Sequence, residues 1–326
     1  MSKNKKGVTI INIVALIGFS LLAFFTFMGA MMFTSGNIGA SAGIALGSVI
    51  LLASALAAAI YCKKVDADFA KWKKIEITAI VLFFIIAIFP ARYVMHFFDV
   101  MTQREELQKT ADADAAKIRA MFSAYEDAER SALSITTTGL QNALGEPVDM
   151  ATQAYMDEAS IKTADDIESW MLQERNLLLG NRGADGATPY IIYHQNVDSI
   201  VGSWLNDVKA WDMLSVARQS RLPGELAPEI AESLTKRSHS GKLPVISFED
   251  GVYVQKSANQ TIDTTVPALE FEKRITYAGA INVLFLLLYI IIIMLIFLDY
   301  LMARRSEKTE IAQGGTIIDQ EGVNRL

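Results

Sequence analysis

Four stretches of this chain run for roughly 22 to 28 residues with at most one charge each, and no other feature constrains its fold as much. A hydrocarbon core about 30 Å thick needs about 20 residues of helix to cross it. Residues 8–33, 40–62, 77–98 and 276–303 all reach that length, with Leu284 to Leu298 almost wholly aliphatic. The first run is too long for the apolar part of a cleaved signal peptide and reads as a retained signal anchor. The 52% hydrophobic content of the 326 residues is concentrated in these runs. The expected fold class is therefore mainly α: a four-helix transmembrane bundle (residues 1–98 with a basic loop 63–76, then 276–303), a folded segment over 99–275 and a tail over 304–326.

Charge gives the orientation. Lys3, Lys5 and Lys6 precede the first run, Lys63, Lys64, Lys71, Lys73 and Lys74 separate the second from the third, and Arg304, Arg305 and Lys308 follow the fourth. If every run crosses, all three clusters share one side. The positive-inside rule then places both termini in the cytoplasm of a bacterial inner membrane and residues 99–275 outside, in a periplasm where there is one. That segment carries roughly eleven more acidic than basic side chains, so nucleic acid is not expected as a partner. Cys62 is the only cysteine, so the outer segment must be held by its core. Trp72, amid lysines, suits an anchor at anionic lipid.

Within the runs, Gly39, Gly43 and Gly47 recur every four residues and lie on one helix stripe. Small residues so spaced let another backbone approach, within the bundle or from a second protomer. Ionisable groups keep to the ends of the runs, as at Arg92, His96 and Asp299, so no proton relay or ion path is legible. Pro90 is expected to bend the third helix near its end.

The outer segment is expected to be mostly helical. Residues 91–138 hold no Gly or Pro, and Leu107, Ala111, Asp114, Ile118, Met121, Tyr125, Ala128, Ala132 and Ile135 form a heptad seam with one acidic interruption. If unbroken, this helix and the third span make one rod. Thr163 and Asp166 form a capping pair for a helix that ends at Gly180, and Asn181 to Thr188 reads as a loop. A helix from about Gln195 to Arg218 carries Trp204 and Trp211 on one face, which reads first as core and second as partner-binding anchors. A shorter helix spans Pro228 to Lys236, closed by Ser240 and Gly241. Alternation around Asp250-Gly251 predicts a small β-hairpin over 244–256, whose edges must pair within the chain or with a neighbouring protomer. Pro267 makes the last turn, after which Leu269 to Arg274 can run straight into the fourth span.

Chemistry is sparse. His96, His194 and His239 are not spaced with acids or Cys62 as a zinc site requires, and no hydrolase, metalloprotease or phosphate-loop motif occurs. Neither a catalytic site, a metal nor a cofactor is expected. The functional expectation is a membrane anchor or scaffold, not an enzyme. Its partners would be the lipid bilayer, other envelope proteins and a second copy of itself, met through Gly39, Gly43, Gly47, Trp204, Trp211, Asp250 and Gly251. The plan of three spans, a helical outer domain and a final span resembles the TssN-like inner-membrane component of Bacteroidetes type VI secretion complexes. That likeness covers architecture over the whole chain, rests on no motif and carries over no residue. A sensor that passes a ligand signal to a separate cytoplasmic partner is the alternative.

Overall fold

A computed structural model describes residues 3–65, 69–181, 188–238, 242–257, 265–277 and 282–305. The expected loop over 181–188, His239, the helix stop at Ser240 and Gly241, and the tail beyond Arg305 lie largely or wholly outside those residues. The described chain is a helical bundle with one small hairpin, and it separates into two compact units. Unit 1 gathers residues up to Glu106, Met213–Ser220 and everything from Lys273 onward; unit 2 holds Leu107–Asp212 and Arg221–Glu272.

Unit 1 is built on α1 (Lys3–Phe33), α2 (Ile38–Lys64), α3 (Phe69–Thr102) and α11 (Val283–Met302), and each is long and apolar enough to cross a membrane. These helices are apolar on every side, yet only 22% of the α1 span and 33% of each other span is buried inside the bundle. A helix of that kind needs an apolar surround. The core holds Leu22, Leu52, Phe83, Ile292 and Ile296. Since lipid is as apolar as leucine, close packing rather than water exclusion must hold such a bundle. Two glycines provide it: a Cβ on Gly29 would lie 1.9 Å from the Tyr93 carbonyl oxygen, and one on Gly18 would lie 2.8 Å from Ile296.

The helix ends depart from the apolar runs. α3 passes through Pro90 to Thr102 without a break, and Arg92 sits 4.8 Å from the centre of the Phe33 ring. α11 begins only at Val283, where the Asn282 side chain accepts the Leu284 N–H at 2.9 Å. The short α10 (Phe271–Thr276) is a separate element, so the last turn does not run straight into the fourth span. α8 (Met213–Arg218) packs on α1, and the Cα of Arg218 lies 2.3 Å from where a Gly36 Cβ would stand. With φ at +81° as well, Gly36 is the one residue suited to that turn.

Unit 2 is organised around α4 (Arg104–Ala143), which is separated from α3 by a turn at Gln103. Its buried stripe is Leu107, Ala111, Asp114, Ile118, Phe122, Tyr125, Glu129, Ala132, Thr136 and Leu140. Of the expected seam, Leu107, Ala111, Asp114, Ile118, Tyr125 and Ala132 are buried, whereas Met121, Ala128 and Ile135 are not. Past Ile118 a straight 3.6-residue helix drifts from a 3.5 repeat, so Phe122, Glu129 and Thr136 are buried in their place.

α5 (Met150–Glu158) and α6 (Ala164–Leu179) pack Met156, Ile167 and Trp170 into the core with Leu140. α6 starts and stops where the sequence indicated: Thr163 and Asp166 form a reciprocal capping box, and the Gly180 N–H bonds to the Asn176 carbonyl. α7 (Tyr190–Ala210) begins after Pro189 and ends at Trp211, whose φ of +59° turns the chain left-handed. The single helix expected to run to Arg218 is thus two, α7 and α8. α9 (Leu222–Arg237) starts a turn and a half before the expected Pro228, with Pro223 in its first turn, where a missing N–H costs nothing.

β1 (Val245–Glu249) and β2 (Val252–Lys256) pair antiparallel, with Glu249 opposite Val252. Asp250 and Gly251 have φ of +48° and +89°, the two positive values that a two-residue primed turn demands. The outer edge of β2 is covered from within the chain: Tyr253 donates to the Pro147 carbonyl and accepts from the Asp149 N–H, both at 2.9 Å.

Candidate functional site

The residues singled out by sequence do not converge on one place. Trp204 is 1% exposed and meets Phe271 edge-on with ring centres 5.1 Å apart. Trp211 is buried too. Neither indole is available as a surface anchor; both are core of unit 2, because an apolar face on α7 needs cover inside the unit. A Cβ on Gly43 or Gly47 would meet nothing within 4 Å, and one on Gly39 only the Asn37 side chain. Among the described residues the stripe is therefore not a seam inside the bundle. Gly43 and Gly47 line an open groove with Leu51, Ile86 and Phe89 on the outer face of α2 and α3. Asp250 and Gly251 are exposed at the hairpin tip, beside Phe248, which is 60% exposed and in ring contact with Tyr253.

Three polar constellations were not legible. Asp114, fully buried on α4, accepts the N–H groups of Glu270 and Phe271 at 2.8 Å each, while its other oxygen takes Lys117 at 3.1 Å. Lys117 also donates to the Ala268 carbonyl at 2.6 Å. The "acidic interruption" is thus a cap for α10, supplied from another helix. Sequence places its partners some 156 positions away, too far for any local pattern to show.

In unit 1, Glu76 is 1% exposed near the lysine-rich end of α3. It accepts from the Tyr300 hydroxyl and from Arg305 at 2.9 Å, and Lys63 reaches the Tyr300 carbonyl at 2.8 Å. Ends of α2, α3 and α11 are so tied by charge-assisted bonds, which strengthen where water is excluded. Glu76 gives no sequence signal of its own because it stands one residue before an apolar run.

The third cluster lies between α4 and α7. Glu126 accepts the Tyr190 hydroxyl at 2.9 Å and Arg130 at 3.0 Å, His194 stacks on Phe122 at 4.3 Å, and Tyr190 stacks on Tyr125 at 5.1 Å. Burial, then the Glu126 bond, pushes the Tyr190 phenol far above its ordinary range, and burial does the same at Tyr125. Both stay protonated donors at neutral pH, which suits a structural clasp and not a base. Among the described residues no group of three or more His, Cys, Asp or Glu could hold a metal ion.

Together, the bundle of long apolar helices and the separately cored helical unit with its hairpin make this a helical membrane protein. No protein-family model, curated protein or solved structure matches the chain.

Proposed function

We propose that the chain is a non-enzymatic, multi-pass anchor of the bacterial inner membrane whose outer unit binds protein partners in an envelope-spanning assembly. Both termini would face the cytoplasm and residues 99–275 the exterior, as the three basic clusters favour. One observation carries the reading: a membrane-type bundle and a unit with its own core and an exposed hairpin tip lie in one chain. Phe248 and Tyr253 offer that tip an aromatic contact surface, since aromatics dominate interface energetics. The groove beside Gly43 and Gly47 supports self-association, because a second copy's helix can approach where no side chain intervenes. On architecture alone, a TssN-like role in a type VI secretion complex is the assembly we favour.

Crosslinking in intact membranes followed by purification tests this. A fixed set of envelope proteins should accompany the chain, and Phe248→Asp should release it while the thermal midpoint stays unchanged. Removing residues 306–326 should leave assembly intact. Loss of an output response without loss of assembly would favour a sensor instead.

A further inference from the structure

A second groove in unit 1 lies between α3 and α11 and holds about 580 Å³, inside the range of small-molecule sites. Its walls are apolar along most of their length, with Phe84, Ala87 and Ile88 from α3 and Ile290, Ile293 and Met294 from α11. One end is different. Arg92, His96 and Asp99 follow one another there on one face of α3, with Asn282 opposite at the start of α11.

His96 is 1% exposed, and its Nε2 lies 2.7 Å from the carbonyl oxygen of Ile275. A carbonyl only accepts, so Nε2 carries the hydrogen. The neutral ring then presents Nδ1 as an acceptor, and Nδ1 has no hydrogen-bond partner among the described residues. A buried acceptor without a donor costs free energy unless something fills the place. Whatever fills it must also suit a guanidinium and a carboxylate at the same end of the groove.

We propose that this groove binds one phosphatidylethanolamine molecule. An acyl chain occupies the apolar length, the phosphate pairs with Arg92, and the ammonium donates to His96 Nδ1 and to Asp99. Length fits: Phe84 to Asp99 spans about 22 Å of helix axis, more than the roughly 15 Å of one leaflet's hydrocarbon. The polar end formed by Arg92, His96 and Asp99 suits a charged headgroup rather than the apolar face of a partner helix. Charge fits too. Choline has no N–H for Nδ1, and a glycerol headgroup leaves Asp99 facing a second anion.

The test is native mass spectrometry of the full chain released from bilayers of equal phosphatidylethanolamine, phosphatidylglycerol and phosphatidylcholine content with matched acyl chains. One phosphatidylethanolamine should be retained over phosphatidylcholine by about tenfold, the worth of one charge-assisted hydrogen bond. Arg92→Gln should weaken retention of all three lipids, since the phosphate is common to them, and Asp99→Asn should lose the preference for phosphatidylethanolamine. Ile290→Trp, which fills the open side of the groove without touching His96, should lose the retained lipid at an unchanged thermal midpoint. Equal retention of the three lipids, no retained lipid, or full retention in I290W would each overturn the proposal.

Discussion

The two units pack helices by the same rules but leave opposite kinds of surface exposed. In unit 1 the large apolar side chains left exposed run the length of the helices: Ile13 and Ile17 on α1, Leu46 and Ile50 on α2, Ile85 and Ile88 on α3, Ile290 and Ile291 on α11. In unit 2 such residues are scattered singly, as at Ile200 and Leu172, while Phe122, Tyr125, Trp204 and Phe271 are inside. Scattered exposed apolar residues are ordinary on a protein in water, whereas continuous outward stripes are not. The units also use glycine and charge differently. The bundle closes by backbone approach at Gly18 and Gly29; unit 2 is clasped by capping carboxylates such as Asp114 and Asp166.

That contrast can be broken most forcefully at the outward faces. Ile85→Arg should cost about 2.5–3.5 kcal/mol of insertion free energy if the face meets lipid, and Ile200→Arg in unit 2 should stay within about 0.5 kcal/mol. Carbonate-resistant membrane integration of the two variants reads the difference, and equal behaviour would mean that the two surfaces share a solvent.

Next comes the cap across unit 2. Asp114→Ala strands the buried Phe271 N–H and the part-buried Glu270 N–H and should lower unit 2 stability by about 2–3 kcal/mol, measured by denaturant unfolding followed through tryptophan fluorescence. Gly29→Ala forces a methyl into the Tyr93 carbonyl and should cost about 1–3 kcal/mol, while Gly43→Ala, with open space around it, should leave the thermal midpoint unchanged or raise it. A pair of equal effects would remove the distinction between the closed and open sides of the bundle.

The smallest effect is one of pH. Asp166 is held below its ordinary range by the Lys162 N–H and then by Thr163, and Asp149 by Thr152. A carboxylate depressed in the folded state adds stability that is complete above the ordinary value of 3.8 and is lost as pH falls through the lowered folded value. The thermal midpoint of unit 2 should therefore drop on acidification below that range, and Asp166→Ala should flatten the drop.

What the sequence made legible follows from how local each cause is. The spans show because burial in lipid must be uniform along a helix, the hairpin because Asp250-Gly251 meets a local demand for two positive φ values, and α6 because its capping box closes over four residues. Features set by distant partners did not show. Asp114 looked like a flaw in a seam until Glu270 and Phe271 were brought to it. Gly29, with no second glycine three or four residues away, gives no spacing signal, whereas the regular Gly39, Gly43 and Gly47 give one that points outward. Trp211 ends α7 in a left-handed conformation that glycine usually takes, so no stop was visible there.

The proposed orientation predicts which side of the membrane each part faces. With Cys62 replaced by alanine, Ser123→Cys in α4 and Ala70→Cys in α3 can be labelled separately with a membrane-impermeant maleimide on intact spheroplasts. Labelling at 123 with protection at 70 until lysis is the predicted result. Labelling at 70 with protection at 123 would contradict it.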